Sequence, residues 1–299
     1  ENLIDNKLIK KLAKNDFIAP ALISNASAVV SNLNTKDKNK AFERVINNTL
    51  KAQGYEEIRD YNPRDDLPSS YDPNFVNSDC DLNELMQGIK ISKNARICLY
   101  GVPGTGKSAY AKFIAKSLKK PIIIKKGSDL LSMFVGGTEK NIALAFKEAK
   151  EKHAVLVFDE VDSFLQDRSS VSHNWEITLV NEMLVQMESF DGIFIATTNL
   201  IDNLDKASLR RFDLKLEFGY LLPEQAQNLF KKECTLLKVK FDENAAKKVS
   251  NLGLLTPGDF ASVRRQAKFR PIKNGDDFCH RLELEVALKN EEKSVKIGF

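Results

Sequence analysis

The stretch ARICLYGVPGTGKSAYAKFIAKSL, residues 95–118, decides the fold. An apolar, β-type run leads into a glycine-rich loop, and a helical pattern begins directly after the loop. Further β-type runs alternate with helical patterns downstream: PIII (121–124), AVLVF (154–158) and GIFIATT (192–198). Strands that alternate with helices predict an α/β fold, with a parallel sheet covered by flanking helices.

Helical patterns lie on both sides of this α/β region. Residues 1–60 show apolar positions at helical spacing, and the Pro-, Asp- and Asn-containing stretch 61–81 favours turns and extended chain. From Leu222 onward, three or four amphipathic helices follow. We therefore predict three parts: a mostly helical N-terminal segment and linker (1–75), an α/β domain (76–221) and a small helical lid subdomain (222–299).

Composition excludes several classes of protein. The chain has 299 residues and a formal net charge of +4, an excess too small to indicate a nucleic-acid surface. Its four cysteines form no Cys-x-x-Cys pair, so we expect buried thiols in a reducing compartment. No apolar stretch approaches the roughly 18 residues that span a bilayer. These features together predict a cytoplasmic protein with no membrane span.

The glycine-rich loop carries a phosphate-binding pattern. The spacing G-x-x-x-x-G-K-[ST] is met by Gly101, Gly106, Lys107 and Ser108, between a strand and a helix. Backbone N–H groups at such a loop surround phosphates, the lysine reaches the β- and γ-phosphates of ATP, and the serine hydroxyl ligates Mg²⁺. The alternative is a glycine-rich turn beside a surface lysine. The expected nucleotide contacts are Gly101, Val102, Pro103, Gly104, Thr105, Gly106, Lys107, Ser108 and Ala109.

A second group of polar residues follows the run AVLVF. Asp159 and Glu160 come directly after this β-type run, at the carboxyl end of a strand, where open α/β sheets bind ligands. We expect Asp159 to hold Mg²⁺, mainly through water, and Glu160 to act as the general base on the attacking water. The alternative is a solvated acidic turn.

Three further polar residues are candidates for catalysis. Asn199 ends the run GIFIATTN, where it could orient the water, although Asn at a strand end is also a common turn former. Arg210 and Arg211 are adjacent in LDKASLRRFD. Paired arginines are usually a solvated face, but they could also act in trans as a finger that neutralises charge on the γ-phosphate.

These motifs together resemble the AAA family, and within it the protein-remodelling branch that includes katanin, spastin and FtsH-like ATPases. GVPGTGKS resembles the first Walker motif, VLVFDEVDSF the second, IFIATTN the first sensor and LDKASLRRFD the arginine-finger segment. The resemblance covers about residues 80–290. It implies an ATPase with a large α/β subdomain, a helical lid and a homo-oligomeric ring, usually hexameric, with ATP at the subunit interfaces.

Two other segments gain a meaning from the resemblance. LLSMFVGGTEKNI resembles a pore loop, in which Phe134, Val135 and Gly136 would contact a polypeptide client; from periodicity alone these apolar residues could equally belong to the core. TPGDF resembles the lid motif, which implies that Gly258 contacts nucleotide. Arg264 and Arg265 lie one to two turns further on and are not assigned to nucleotide.

The leading hypothesis is a ring-forming ATPase that remodels or unfolds a polypeptide client or a protein complex. A nucleic-acid-directed AAA ATPase, such as a loader or a branch-migration motor, is the alternative, and an ATP-dependent assembly switch is a third. The sequence contains no HExxH motif, so we expect no zinc-protease chemistry in these residues.

Overall fold

The computed structural model describes residues 18–33, 37–52, 71–132, 136–163 and 174–295, with isolated positions at 4, 5, 8, 9, 12, 35 and 67. The side chains of residues 174–177, 203 and 290–295 fall outside this description. The chain divides into two compact units, residues 1–66 and residues 67–299. We describe each unit by itself.

The described part of the first unit is mainly helical. It contains the helices α1 (Pro20–Ser31) and α2 (Lys38–Ala52). Their apolar residues recur every three to four positions, which places them on one face of each helix. The buried side chains of this unit are Leu8, Leu12, Leu22, Ala26, Val30, Phe42, Ile46 and Leu50.

The second unit is built on a six-stranded sheet. Its strands are β1 (Asn77–Ser78), β2 (Ala95–Gly101), β3 (Ile122–Lys126), β4 (Val155–Asp159), β5 (Ile193–Thr198) and β6 (Leu214–Gly219). They lie in the order β1-β6-β2-β5-β4-β3, and every pairing except that of β1 with β6 is parallel. The predicted α/β class is confirmed. The two-residue strand β1 was not predicted, because it is too short to show any periodicity.

Helices cover both faces of this sheet. In chain order they are α3 (Leu82–Ser92), α4 (Lys107–Ser117), α5 (Gly127–Leu130), α6 (Gly137–Glu151), α7 (Asn174–Ser189) and α8 (Lys206–Arg211). Strand β4 shows why both faces are apolar: Val155 and Val157 pack with α3 and α4, whereas Leu156 and Phe158 pack with α6 and α7. A strand buried on both faces explains the continuous apolar run in its sequence.

The chain continues into four helices: α9 (Pro223–Leu237), α10 (Glu243–Ser250), α11 (Pro257–Gln266) and α12 (Gly275–Val295). They enclose a separate apolar cluster, in which the ring of Phe278 lies 4.9 Å from that of Phe230 and 6.1 Å from that of Phe260. This cluster fixes the helices against each other, so they form a body with its own core.

The expectation of buried thiols is wrong for one cysteine. Cys98, Cys234 and Cys279 are buried, but Cys80 is exposed, because it lies in the turn between β1 and α3. Among the described helices, none combines the length and the apolar character needed to cross a membrane.

Candidate nucleotide-binding site

The loop between β2 and α4 is shaped by its glycines. Gly101 has φ of 129°, and a Cβ atom there would lie 2.1 Å from the backbone oxygen of Phe218 on the neighbouring strand β6. Gly104 has φ of 80°. Only glycine adopts such backbone angles at low cost. The loop therefore wraps over the end of the sheet and delivers Lys107 at the start of α4.

Lys107 is 7% exposed, and its ammonium lies inside the loop. Its Nζ donates to the carbonyl oxygen of Gly101 (2.7 Å), to that of Val102 (3.0 Å) and to Oδ1 of Asn199 (2.8 Å). Burial lowers the pKa of Lys107 to about 8, although the nearby carboxylates of Asp159, Asp162 and Glu160 act in the opposite direction. The site therefore holds a cation that burial disfavours, next to a loop suited to anions.

Asp159 lies at the end of β4, beside this lysine. Its Oδ1 accepts from the Ser108 hydroxyl at 2.9 Å and, over a short distance, from the Thr197 hydroxyl. The structure thus brings together Ser108 and Asp159, the two predicted Mg²⁺ ligands, from α4 and β4. Thr197 was not predicted as a site residue, although it lies two positions before Asn199 in the sequence that was singled out.

Glu160 is the first residue after β4 and has φ of 62°, a left-handed conformation that is uncommon for a residue with a side chain. Its backbone N–H donates to the Thr197 hydroxyl oxygen at 3.2 Å. A kinked backbone at this position turns the chain away from the strand direction immediately after Asp159. Both carboxylates are consequently at the same end of the sheet as Lys107.

The helical body formed by α9–α12 reaches the loop through the start of α11. The N–H of Gly258 donates to the carbonyl oxygen of Gly104 at 2.8 Å, and a Cβ atom on Gly258 would lie 2.9 Å from the Cα of Gly104. Thr256 caps α11, and its hydroxyl donates to Asp259, which also pairs with Lys289 at 2.6 Å. Gly258 is therefore the point of direct backbone contact between this body and the loop.

The helical body also contains an ion pair beside the loop that was not predicted from the sequence. Glu233 of α9 is 2% exposed, and its Oε1 lies 2.7 Å from Nη1 of Arg264 on α11. Both residues line the cleft above the loop. The sequence did not indicate this pairing, because the two residues are 31 positions apart and no local pattern joins them.

Lys107, Ser108, Asp159, Glu160 and Gly258 line one cleft of about 350 Å³. The cleft also has an apolar lining, contributed by Tyr71, Phe75, Val76, Leu229 and Ala261. The Tyr71 hydroxyl is buried with no hydrogen-bond partner in the described part of the chain, and burial raises its pKa, so it stays a neutral phenol. The cleft thus offers both charged and apolar groups to a ligand.

The predicted arginine finger lies elsewhere. Arg210 and Arg211 are the last two residues of α8, and both are exposed. Nη1 of Arg211 lies 2.8 Å from Oε1 of Glu188. Neither arginine lines the cleft as far as the described residues define it.

The predicted pore loop falls mostly outside the described residues, which include Gly136 but neither Phe134 nor Val135. Gly136 has φ of 77° and is the N-cap of α6, and a Cβ atom there would meet no atom of the described residues within 4 Å. The roles of Phe134 and Val135 stay predictions from the sequence.

Comparison with known proteins identifies the central part of the chain. Residues 97–220 match the family model described as ATPase family associated with various cellular activities (AAA). The chain is 33% identical over 228 residues to an ATP-dependent zinc metalloprotease FtsH of Clostridium perfringens, a match covering 70% of this chain and 31% of that protein. It is 34% identical over 177 residues to a proteasome-associated ATPase of Thermobifida fusca, a match covering 51% of this chain and 30% of that protein. The match therefore spans about a third of each relative.

Proposed function

This chain carries an ATPase domain of the AAA family, and on that premise we propose that it binds Mg·ATP in the cleft above Lys107, hydrolyses it, and uses the energy in a ring to remodel polypeptide clients. The observation that carries the proposal is the convergence of Lys107, Ser108, Asp159 and Glu160 at the end of the sheet that faces this cleft. Four residues from two separate segments meet where phosphoryl transfer needs a cation, a metal site and a base.

The charged and the apolar lining of the cleft fit the two parts of ATP. The loop and the N-terminus of α4 suit the phosphates, because the N–H groups of a helix N-terminus favour anions and the Lys107 ammonium lies beside them in the lining. The apolar lining suits the base, for which a buried neutral phenol is a hydrogen-bonding group. A volume of about 350 Å³ lies at the small end of the ~300–1,000 Å³ range typical of ligand clefts.

The carboxylates of Asp159 and Glu160 are the basis for the proposed metal site and the proposed general base. The Ser108 hydroxyl and the Asp159 carboxylate are hard oxygen donors, the type that Mg²⁺ prefers, and they are already adjacent. When bound, Mg²⁺ neutralises phosphate charge. Glu160 comes one residue later and is the proposed general base, and Asn199, which contacts the Lys107 ammonium, is proposed to orient the water.

We also propose that residues 76–221 and 222–299 act as an ATPase subdomain and a lid, preceded by an N-terminal segment, residues 1–75. The separate apolar core of α9–α12 supports this division. The lid contributes Gly258 and the Glu233–Arg264 pair to the cleft, so nucleotide would contact both subdomains.

A homo-oligomeric ring of six subunits is not needed to build the cleft, but it gives the exposed arginines a role. A guanidinium at Arg210 or Arg211 on one subunit could reach the γ-phosphate site of the next subunit across a heterologous interface that closes a ring. A polypeptide client is supported by the names of the two relatives, a zinc metalloprotease and a proteasome-associated ATPase. The mild net charge argues against nucleic acid as the client.

Replacement of Glu160 by Gln tests the proposed chemistry. The variant should bind ATP and turn it over at least about 100-fold more slowly, because a general base contributes ~10²–10⁴-fold. ATP binding and steady-state hydrolysis are measured on the same preparation. Turnover close to the wild-type rate would place the base on another residue.

The client is tested by stimulation of hydrolysis. Unfolded polypeptide should raise the ATPase rate more than single- or double-stranded DNA does, and Phe134→Ala should lower the ratio of stimulated to basal rate. Stimulation by DNA alone would favour the nucleic-acid-directed alternative. An early-melting Phe134→Ala protein would instead indicate that Phe134 belongs to the core, where truncation costs about 3–5 kcal/mol.

A further inference from the structure

Thr197 is a buried polar residue at the end of β5 whose hydroxyl touches both carboxylate-bearing residues of the site. It is 2% exposed. Its O–H donates to Oδ1 of Asp159, and its oxygen accepts the backbone N–H of Glu160 at 3.2 Å. One hydroxyl is thus used as donor and as acceptor at the same time, which fixes its rotation.

The parallel register explains the contact. Strands β4 and β5 pair Phe158 with Ala196. The residue that follows Phe158 on β4 is Asp159, and the residue that follows Ala196 on β5 is Thr197. Neighbouring residues of parallel strands point to the same face of the sheet. The hydroxyl therefore lies beside the carboxylate at the carboxyl end of the sheet, where it can also reach the following N–H.

The hydroxyl acts on a backbone that would not adopt its shape by itself. The φ of 62° at Glu160 is a conformation that L-residues with a side chain rarely adopt. The bond from its N–H to Thr197 holds the peptide between Asp159 and Glu160 in this orientation. The bond to Asp159 holds the carboxylate so that Oδ1 takes both hydroxyl donors, Thr197 and Ser108, and Oδ2 takes neither.

We propose that Thr197 is a positioning residue that sets the metal-binding carboxylate of Asp159 and the catalytic carboxylate of Glu160 together. This inference rests on the proposed Mg·ATP hydrolysis. Without the hydroxyl, Asp159 loses a donor that fixes its rotamer, and Glu160 loses the acceptor that stabilises its left-handed backbone. The affinity for Mg²⁺ and the rate of hydrolysis should both decrease, while the conformations of Lys107 and the loop stay unchanged.

Three substitutions separate positioning from packing. Thr197→Val keeps the branched shape and removes the hydroxyl, and Thr197→Ser keeps the hydroxyl and removes a methyl group. Thr197→Ala removes both and serves if the valine does not fold. Thr198→Val is the matched control for stability, because Thr198 is equally buried on the same strand and its hydroxyl accepts only the N–H of Leu200 among the described contacts, at 3.0 Å.

The measurements are kcat, the Mg²⁺ concentration at half-maximal rate, and the ratio of ADP affinities with Mg²⁺ and with EDTA. For Thr197→Val we expect kcat to fall about tenfold, the Mg²⁺ midpoint to rise about tenfold and the affinity ratio to shrink by a similar factor, since a hydrogen bond to an ionised group is worth about this much. Thr197→Ser should recover most of each change.

Two results would overturn the proposal. One is a folded Thr197→Val or Thr197→Ala protein with wild-type kcat, Mg²⁺ midpoint and affinity ratio. The other is a Thr197→Ser protein as impaired as Thr197→Val, with melting lowered in parallel, which would assign the effect to packing. Failure of the proposed function looks different: wild-type protein would show no Mg²⁺-dependent hydrolysis, and the Mg²⁺ effect on ADP affinity would still report on Thr197.

Discussion

The contact between Gly258 and Gly104 provides a test of whether the proposed lid takes part in nucleotide binding. In the structure the two backbones are joined by one hydrogen bond of 2.8 Å. An added Cβ at Gly258 would lie 2.9 Å from the Cα and 3.0 Å from the oxygen of Gly104. Both atoms belong to the backbone of the phosphate loop, so neither can rotate away. Gly258→Ala must therefore move α11 or the loop.

The size of the effect follows from this geometry. Restoring ordinary carbon–carbon separation requires a shift of roughly half an ångström, and forcing an extra methyl group into a packed contact typically costs about 1–3 kcal/mol. The strain falls on the contact between α11 and the loop, and both Gly258 and Gly104 line the cleft. We expect affinity for Mg·ADP to fall about tenfold, because about 1.4 kcal/mol is a factor of ten in a binding constant.

The assay is titration of Mg·ADP into wild-type, Gly258→Ala and Gly253→Ala proteins, with melting curves of each without nucleotide. Gly253 lies between α10 and α11, and a Cβ atom there would meet no atom of the described residues within 4 Å, so Gly253→Ala controls for the added methyl group. The reasoning is refuted if Gly258→Ala binds Mg·ADP as tightly as the wild type, or if Gly253→Ala is weakened equally.

Three further outcomes are expected. Since the pKa of Lys107 is lowered to about 8, nucleotide affinity should fall by up to about tenfold per pH unit above pH 8, where the ammonium is lost; a flat profile from pH 7 to 9.5 in ADP titrations would contradict this. The same shift makes the stability of the nucleotide-free protein depend on pH. Between pH 8 and 10.5, the ordinary pKa of lysine, the unfolded chain keeps the proton of Lys107 and the folded chain does not, so the free energy of unfolding should rise with pH over this range. Arg210→Ala and Arg211→Ala should bind ATP but hydrolyse it slowly, and mixing either with Glu160→Gln should restore part of the activity, because one interface can then pair an intact base with an intact finger. Co-assembled mixtures without rescue would place the arginines in cis or in a structural role.

The sequence predicted correctly the features that depend on periodicity and on short motifs. The strands β2 to β5, the helices that follow Leu222 and the α/β class are confirmed, as are the AAA family and the ATPase class of enzyme. A continuous apolar run such as 154–158 is a local signal, because burial on both faces of a sheet demands it at every position. The glycine spacing of 101–106 is local for the same kind of reason, since only glycine fits the loop.

The features that the sequence analysis missed depend on residues far apart in the chain. Glu233 and Arg264 each read as one charged position on an amphipathic helix, and only the packing of α9 against α11 joins them. Thr197 reads as an ordinary β-branched strand residue. Its role needs the register of β4 with β5, which pairs residues 38 positions apart. The carboxyl ends of neighbouring strands could have suggested it, had the register been known.

Lys107 shows how the two kinds of information combine. The motif predicts a lysine that faces phosphates, but the structure shows what the lysine does without them. Its three hydrogen-bond acceptors, two carbonyl oxygens and the Asn199 amide, are neutral, and the nearby carboxylates do not offset the cost of burial, because the pKa is still lowered. The fold therefore keeps a buried cation that is not fully compensated. An anion bound at the loop would stabilise the buried ammonium. Relief of the unfavourable burial of Lys107 should therefore contribute part of the affinity for phosphate.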